Sequence, residues 1–368
     1  MSTVEALLAA AAAVPILTGI HYAFWSWRLR IRPQEDELLR TRTRDGWELV
    51  IGRCRPRGPG RALPVLLVHG IATNRQTFEF GVPPYSLAAH LAEAGFDCFS
   101  LDLRGHGGSR RRAAGAPRRW TFDTYLAEDL PAAFDAVRAA TGASRVLYVG
   151  HSQGALLGLA AAGVHRERIA AVVALAAPVH FDVQERVRRL VEWKYPLRGA
   201  FTRALARMVA PYSGWWHPGP AELAINLRNV ERRVYRRLLA NAIENMNPGV
   251  LEQFEAFVRE DSFRSMDGTV DYRALLETCR QPALFVAAER DGMAPPAVVQ
   301  AGFRRWGGPK EYVVFERDYG HTDLLLGRKA PEVVYPVVRE FLVAADRSSV
   351  HSFRFTVSGS ELNSRTEN

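Results

Sequence analysis

The strongest constraint in this sequence lies between Arg145 and Val164. The apolar run RVLYVG (145–150) passes directly into Gly150-His151-Ser152-Gln153-Gly154, and an Ala- and Leu-rich stretch follows without a break. Short runs of Val, Leu and Tyr read as buried strand, and the stretch behind them has a helical composition. A serine held in so abrupt a turn takes a strained backbone conformation, so its neighbours must be small, hence Gly150 and Gly154. The helix that starts there points free N–H groups at negative charge developing beside the serine. The five residues alone would also suit a plain glycine-rich turn. It is their strand–turn–helix setting that makes Ser152 the candidate nucleophile.

The same alternation extends along the chain. VLLVH (65–69), FDCFSLDL (96–103), AVVALAAP (171–178), ALFVAAE (283–289) and EYVVFE (311–316) read as buried strands, and amphipathic stretches at 86–94, 123–140 and 296–306 lie between them. Continuous apolar strands alternating with helices predict an α/β fold, a mostly parallel doubly wound sheet covered on both faces. Asp45-Gly46 marks a hairpin ahead of it. One connection breaks the rhythm. About 100 residues between Pro178 and Pro282 hold no strand pattern but helical stretches at 183–192, 199–209 and 221–240, as expected of a helical cap inserted over the sheet. The expected organisation is core at 38–179, cap at 180–280, core again at 281–345, and a disordered Ser/Thr/Asn-rich tail at 346–368.

Ahead of the core, no charged residue occurs from Ala6 to Trp27, and Arg28, Arg30 and Arg32 follow an aromatic cluster. That order predicts a single-pass membrane anchor over residues 1–32, and the arginine flank places the catalytic part on the cytoplasmic side. Only Glu5 precedes the apolar run, so a cleaved signal peptide is not expected. The net charge of +9 comes from arginines spread along the chain rather than one basic block, which argues against nucleic-acid binding. Cys54, Cys98 and Cys279 lack metal-ligand spacing, so no metal is expected. No cofactor is expected either.

A serine hydroxyl needs a general base. Sheet enzymes with this elbow carry an acid and then a histidine downstream of the serine, leaving His165, His180, His217, His321 and His351. His321 sits in a short loop just past the last strand, where it can reach back over the sheet. The acid is expected at the end of the preceding strand. There Asp291 is favoured over Glu289, and Asp323 is too near His321 in sequence. Two backbone N–H groups are expected to hold an oxyanion, those of Gln153 and of Ile71, with Gly70 allowing close approach.

With these residues in place, the chain resembles the α/β-hydrolase superfamily over residues 40 to 345, and in particular the acid (gastric and lysosomal) lipases and their bacterial relatives. VHGIATNRQTF (68–78), YVGHSQG (148–154) and YGHTDLLLGRKAPEVVY (319–335) carry the likeness, while DGTVDYRALL (267–276) resembles a bacterial branch near polyhydroxyalkanoate synthases. The resemblance implies a carboxylic ester hydrolase working through Ser152, Asp291 and His321, on a hydrophobic acyl or lipid ester. A thioesterase or acyltransferase on the same triad is the alternative, and a ligand-binding homologue without turnover a remoter one. Trp193, Tyr195, Tyr212, Trp215 and Trp216 of the cap are candidates to line an acyl pocket. No sequence feature sets the oligomeric state.

Overall fold

Val, Ile, Leu and Phe run in uninterrupted blocks because the strands they form have no solvent side. The computed structural model describes residues 2–181, 199–215, 222–316, 318–347 and 362–365. Among these, ten strands make one sheet: β1 (Glu37–Arg42), β2 (Trp47–Cys54), β3 (Val65–Val68), β4 (Cys98–Asp102), β5 (Arg110–Arg111), β6 (Val146–His151), β7 (Ile169–Leu175), β8 (Ala283–Ala288), β9 (Lys310–Phe315) and β10 (Leu362–Arg365). The order is β1-β2-β4-β3-β6-β7-β8-β9-β10, with β5 on β2. From β4 to β9 every pairing is parallel. Every residue of β3, β4, β6 and β8 is buried, as the apolar runs predict. The expected hairpin is β1–β2, antiparallel, closed by Gly46 at φ +91°.

Helices cover both faces of the sheet, among them α2 (Leu87–Glu93), α3 (Leu130–Thr141) and α4 (Gln153–Val164). α4 follows the elbow and is buried almost throughout, so its residues are Ala, Leu and Gly rather than an amphipathic mixture. Between β7 and β8 the described residues hold no strand of the sheet. They form α5 (Thr202–Val209), α6 (Arg232–Asn241) and α7 (Pro248–Glu260). The core closes with α8 (Pro296–Arg305) and α9 (Tyr335–Arg347). The expected helix over 183–192 lies outside the described residues, as do Trp193, Tyr195, Trp216, His217 and His351.

Three expectations need correction. Thr3–Arg28 is the N-terminal helix, α1, yet among the described residues no helix is long and apolar enough to cross a membrane. Its second half is committed to the protein instead. His21 shares a hydrogen bond of 2.8 Å with the Tyr212 hydroxyl, and their rings stack at 5.7 Å. Arg207 donates to the Tyr22 hydroxyl at 3.1 Å, and Leu29 is buried with Ala210 and Ala240. The spanning anchor is therefore not borne out, and the cytoplasmic orientation inferred from it falls with it. Tyr212 and Trp215 are 56% and 73% exposed, so these two line no acyl pocket. They face the N-terminal helix and the arginines of α6. Finally, the tail expected to be disordered contributes β10, antiparallel to β9. An edge strand such as β9 offers a free row of backbone donors and acceptors that a short polar segment can pair with.

Candidate active site

The elbow stands at the C-terminal end of β6, mid-sheet between β3 and β7. Ser152 has φ +54° and ψ −118°, a conformation that a non-glycine residue holds only when its surroundings enforce it. The surroundings do so here. Ser152 N donates to Leu175 O at 2.8 Å. A side chain at Gly150 would meet Gly154 O at 2.3 Å, and one at Gly154 would meet Val68 O at 2.0 Å. Only hydrogen fits at either glycine, so β3, β6 and α4 can close around the turn.

The loop after β3 lies against the serine. At Gly70 a Cβ would come within 3.2 Å of both Ser152 Cβ and His151 Nδ1. His69 anchors the loop from below: its Nε2 accepts from Leu103 N at 3.1 Å, so its Nδ1–H donates to Gly70 O at 2.8 Å. Ala72 takes φ +55°. Among the described residues neither Ile71 N–H nor Gln153 N–H has a protein acceptor, as expected of donors at a helix start or in an open loop.

The loop is also held from the cap. Glu244 N donates to Ala72 O at 2.8 Å, and Thr73 bridges Ile243. The Glu244 carboxylate accepts from Asn74 Nδ2 at 2.9 Å and from Gly107 N at 3.2 Å, while Asn74 Nδ2 also reaches Asn241 O at 2.9 Å. Glu244 and Asn74 are both buried. This latch has no sequence signature, because its halves are about 170 residues apart.

On the other side of the elbow, His321 Nδ1 and Asp291 Oδ2 are 2.7 Å apart, in side chains almost wholly buried. The second oxygen, Asp291 Oδ1, accepts from Met293 N at 2.8 Å and Ala294 N at 2.7 Å. These bonds fix the carboxylate plane, and the carboxylate in turn orients the imidazole. Glu289, the competing acid, is exposed and donates its N–H to Phe315 O. His165 bonds Leu126 O and His180 pairs with Asp261, both away from the elbow. Among the described residues neither Ser152 Oγ nor His321 Nε2 makes a hydrogen bond.

His151 and Asp323 gain roles that the sequence did not suggest. His151 Nε2 donates to His321 O at 3.0 Å, and the two rings are 4.7 Å apart. Burial, with the nearby His321 imidazole, pushes its pKa down to about 3, so it is the neutral ring that donates. Asp323 accepts from Asn226 N at 3.1 Å and Asn229 Nδ2 at 3.2 Å, tying the histidine loop to the cap. Burial raises its carboxyl to about 7 against the opposing pull of those hydrogen bonds. Thr322 N to Ala224 O and Gly292 N to Leu223 O complete that seam.

The α/β-hydrolase fold family matches residues 64–327 of the chain. Lipase member K of Homo sapiens is 26% identical over 348 residues, which is 80% of this chain and 84% of the relative. Triacylglycerol lipase 2 of Arabidopsis thaliana is 34% identical over 131 residues, 32% of this chain, and the chain spans 31% of that relative's length. An esterase of Thermogutta terrifontis with malate bound has a similar structure, with a TM-score of 0.55 at 21% identity, covering 84% of this chain and 99% of that one.

Proposed function

The chain belongs to the α/β-hydrolase fold family and is a lipase- or esterase-like carboxylic ester hydrolase, and on that footing we propose that Ser152, His321 and Asp291 form its catalytic triad. The observation that carries this reading is the buried His321–Asp291 pair beside a serine strained at φ +54°. His321 Nε2 takes the Ser152 proton as Oγ attacks the ester carbonyl, forming the C–O bond of a tetrahedral adduct. The imidazolium is stabilised through Nδ1–H to Asp291. Collapse of the adduct expels the alcohol, which leaves with the proton from His321. Water, deprotonated by the same imidazole, then releases the acid and restores the serine.

The N–H groups of Ile71 and Gln153 hold the oxyanion. Each such donor contributes about 3 kcal/mol to the transition state. Ala72, at φ +55°, gives the loop its bend, and the Glu244 latch keeps it in place. The lipase relatives support a hydrophobic acyl ester as substrate. Ser152→Ala is expected to abolish labelling by a fluorophosphonate probe while leaving thermal unfolding near that of the parent. A variant that is still labelled removes Ser152 as the nucleophile.

A further inference from the structure

Residues 13–20 of the N-terminal helix stand away from the body of the protein. Every residue from 13 to 20 is exposed, and Val14, Ile16, Leu17 and Ile20 are each at least 60% so. Apolar side chains on a helix bare on all sides cost free energy in water that a buried helix face does not. At the base of this projection lies a continuous set of aromatic rings and guanidinium groups. Trp27 neighbours Phe24 at 6.3 Å and Phe24 meets Trp25 at 5.2 Å. Arg236 lies over Trp25 at 5.4 Å and over Trp215 at 6.0 Å, and Arg232 also covers Trp215. Trp27 and Trp215 remain 71% and 73% exposed.

The cations of this collar are not balanced by carboxylates. Among the described residues Arg28, Arg232, Arg236 and Arg237 have no acidic partner. Partial burial, and then repulsion from the other three, pull Arg236 below the usual arginine range. Positive groups held together against repulsion, beside exposed tryptophans and an aliphatic projection, match an anionic surface with an apolar interior. A second copy would bring two like-charged collars together. A soluble anion would leave the aliphatic helix in water.

We propose that this face docks on an anionic phospholipid membrane surface, with Phe24, Trp27 and Trp215 at the headgroup–acyl boundary and Arg28, Arg232 and Arg236 on lipid phosphates. Val14, Ile16, Leu17 and Ile20 enter the near leaflet, and the helix does not cross it. Tryptophans and arginines are the side chains suited to that boundary, since each has an apolar body and a polar or charged tip.

The test is flotation of the full-length protein with vesicles of phosphatidylcholine, alone or with phosphatidylglycerol. Binding is expected with phosphatidylglycerol and expected to weaken at high salt. Arg232→Glu/Arg236→Glu is expected to lower it at least about tenfold, and Trp27→Ala to lower it at low and high salt alike. Hydrolysis of a short soluble ester, together with thermal unfolding, checks that each variant is intact. If the double variant fails that check, Arg28→Glu at the exposed helix end carries the same expectation. Equal binding to pure phosphatidylcholine overturns the proposal. So does undiminished binding by an intact charge-reversed variant, or displacement by inorganic phosphate beyond chloride of equal ionic strength. Self-association lost in the same variants, with vesicle binding intact, would show a second copy as the occupant and also overturn it.

Discussion

Asp323→Asn isolates the seam between the histidine loop and the cap in one measurable quantity. The buried carboxyl titrates at about 7, against an ordinary value of 3.8. Between those values the native state holds a proton that the unfolded chain has already released. Stability contributed by Asp323 is therefore complete below about pH 4 and lost as pH rises through about 7. A gap of about three units at about 1.4 kcal/mol per unit makes the loss roughly 4 kcal/mol. Asparagine has no charge to bury, so its own contribution does not change over that range. The mismatch between its amide and Asn229 Nδ2 adds a penalty, but one that is constant with pH. Other buried acids with raised values, such as Glu79 and Asp102, are present in both proteins and cancel in the difference. Urea unfolding followed by tryptophan fluorescence from about pH 4 to pH 8 is the assay. Relative to the parent, the variant should gain roughly 4 kcal/mol across that range. Parallel pH profiles for the two proteins would refute the reasoning, since Asp323 would then ionise freely where it stands.

Two further substitutions probe the elbow and its latch. Glu244→Ala leaves Gly107 N–H without its acceptor and Asn74 with one partner fewer; it should cost about 3 kcal/mol of stability and lower kcat on a soluble ester about tenfold, with Glu244→Gln much milder because it keeps an acceptor. Equal effects of the two changes in unfolding and in kcat would remove the hydrogen-bonding role. Gly154→Ala brings a methyl to 2.0 Å from Val68 O, so β3 or α4 must move; a loss of about 2 kcal/mol or more is expected in thermal or urea unfolding, whereas Gly58→Ala, in open space, should be neutral.

Features that depend on near neighbours in the chain were legible from the sequence. The elbow is one, since strand, small residues and helix lie within twenty positions of one another. The buried strands are another, because a strand covered on both faces must be apolar at every position. The candidate acid and base followed from their places at the ends of β8 and β9, and the structure brings Asp291 and His321 together as a hydrogen-bonded pair. Other features were decided only by the tertiary structure. An apolar run before arginines reads the same whether it spans a bilayer or docks on its own protein, and Tyr212, Arg207 and Ala240, some 180 to 210 residues away, hold its second half. The Glu244 latch, the His151 bond to the histidine loop and the Asp323 seam are likewise contacts between distant segments. Local propensity and hydrophobic period act over a few residues, while a buried hydrogen bond depends on which distant partners the packing brings within about 3 Å.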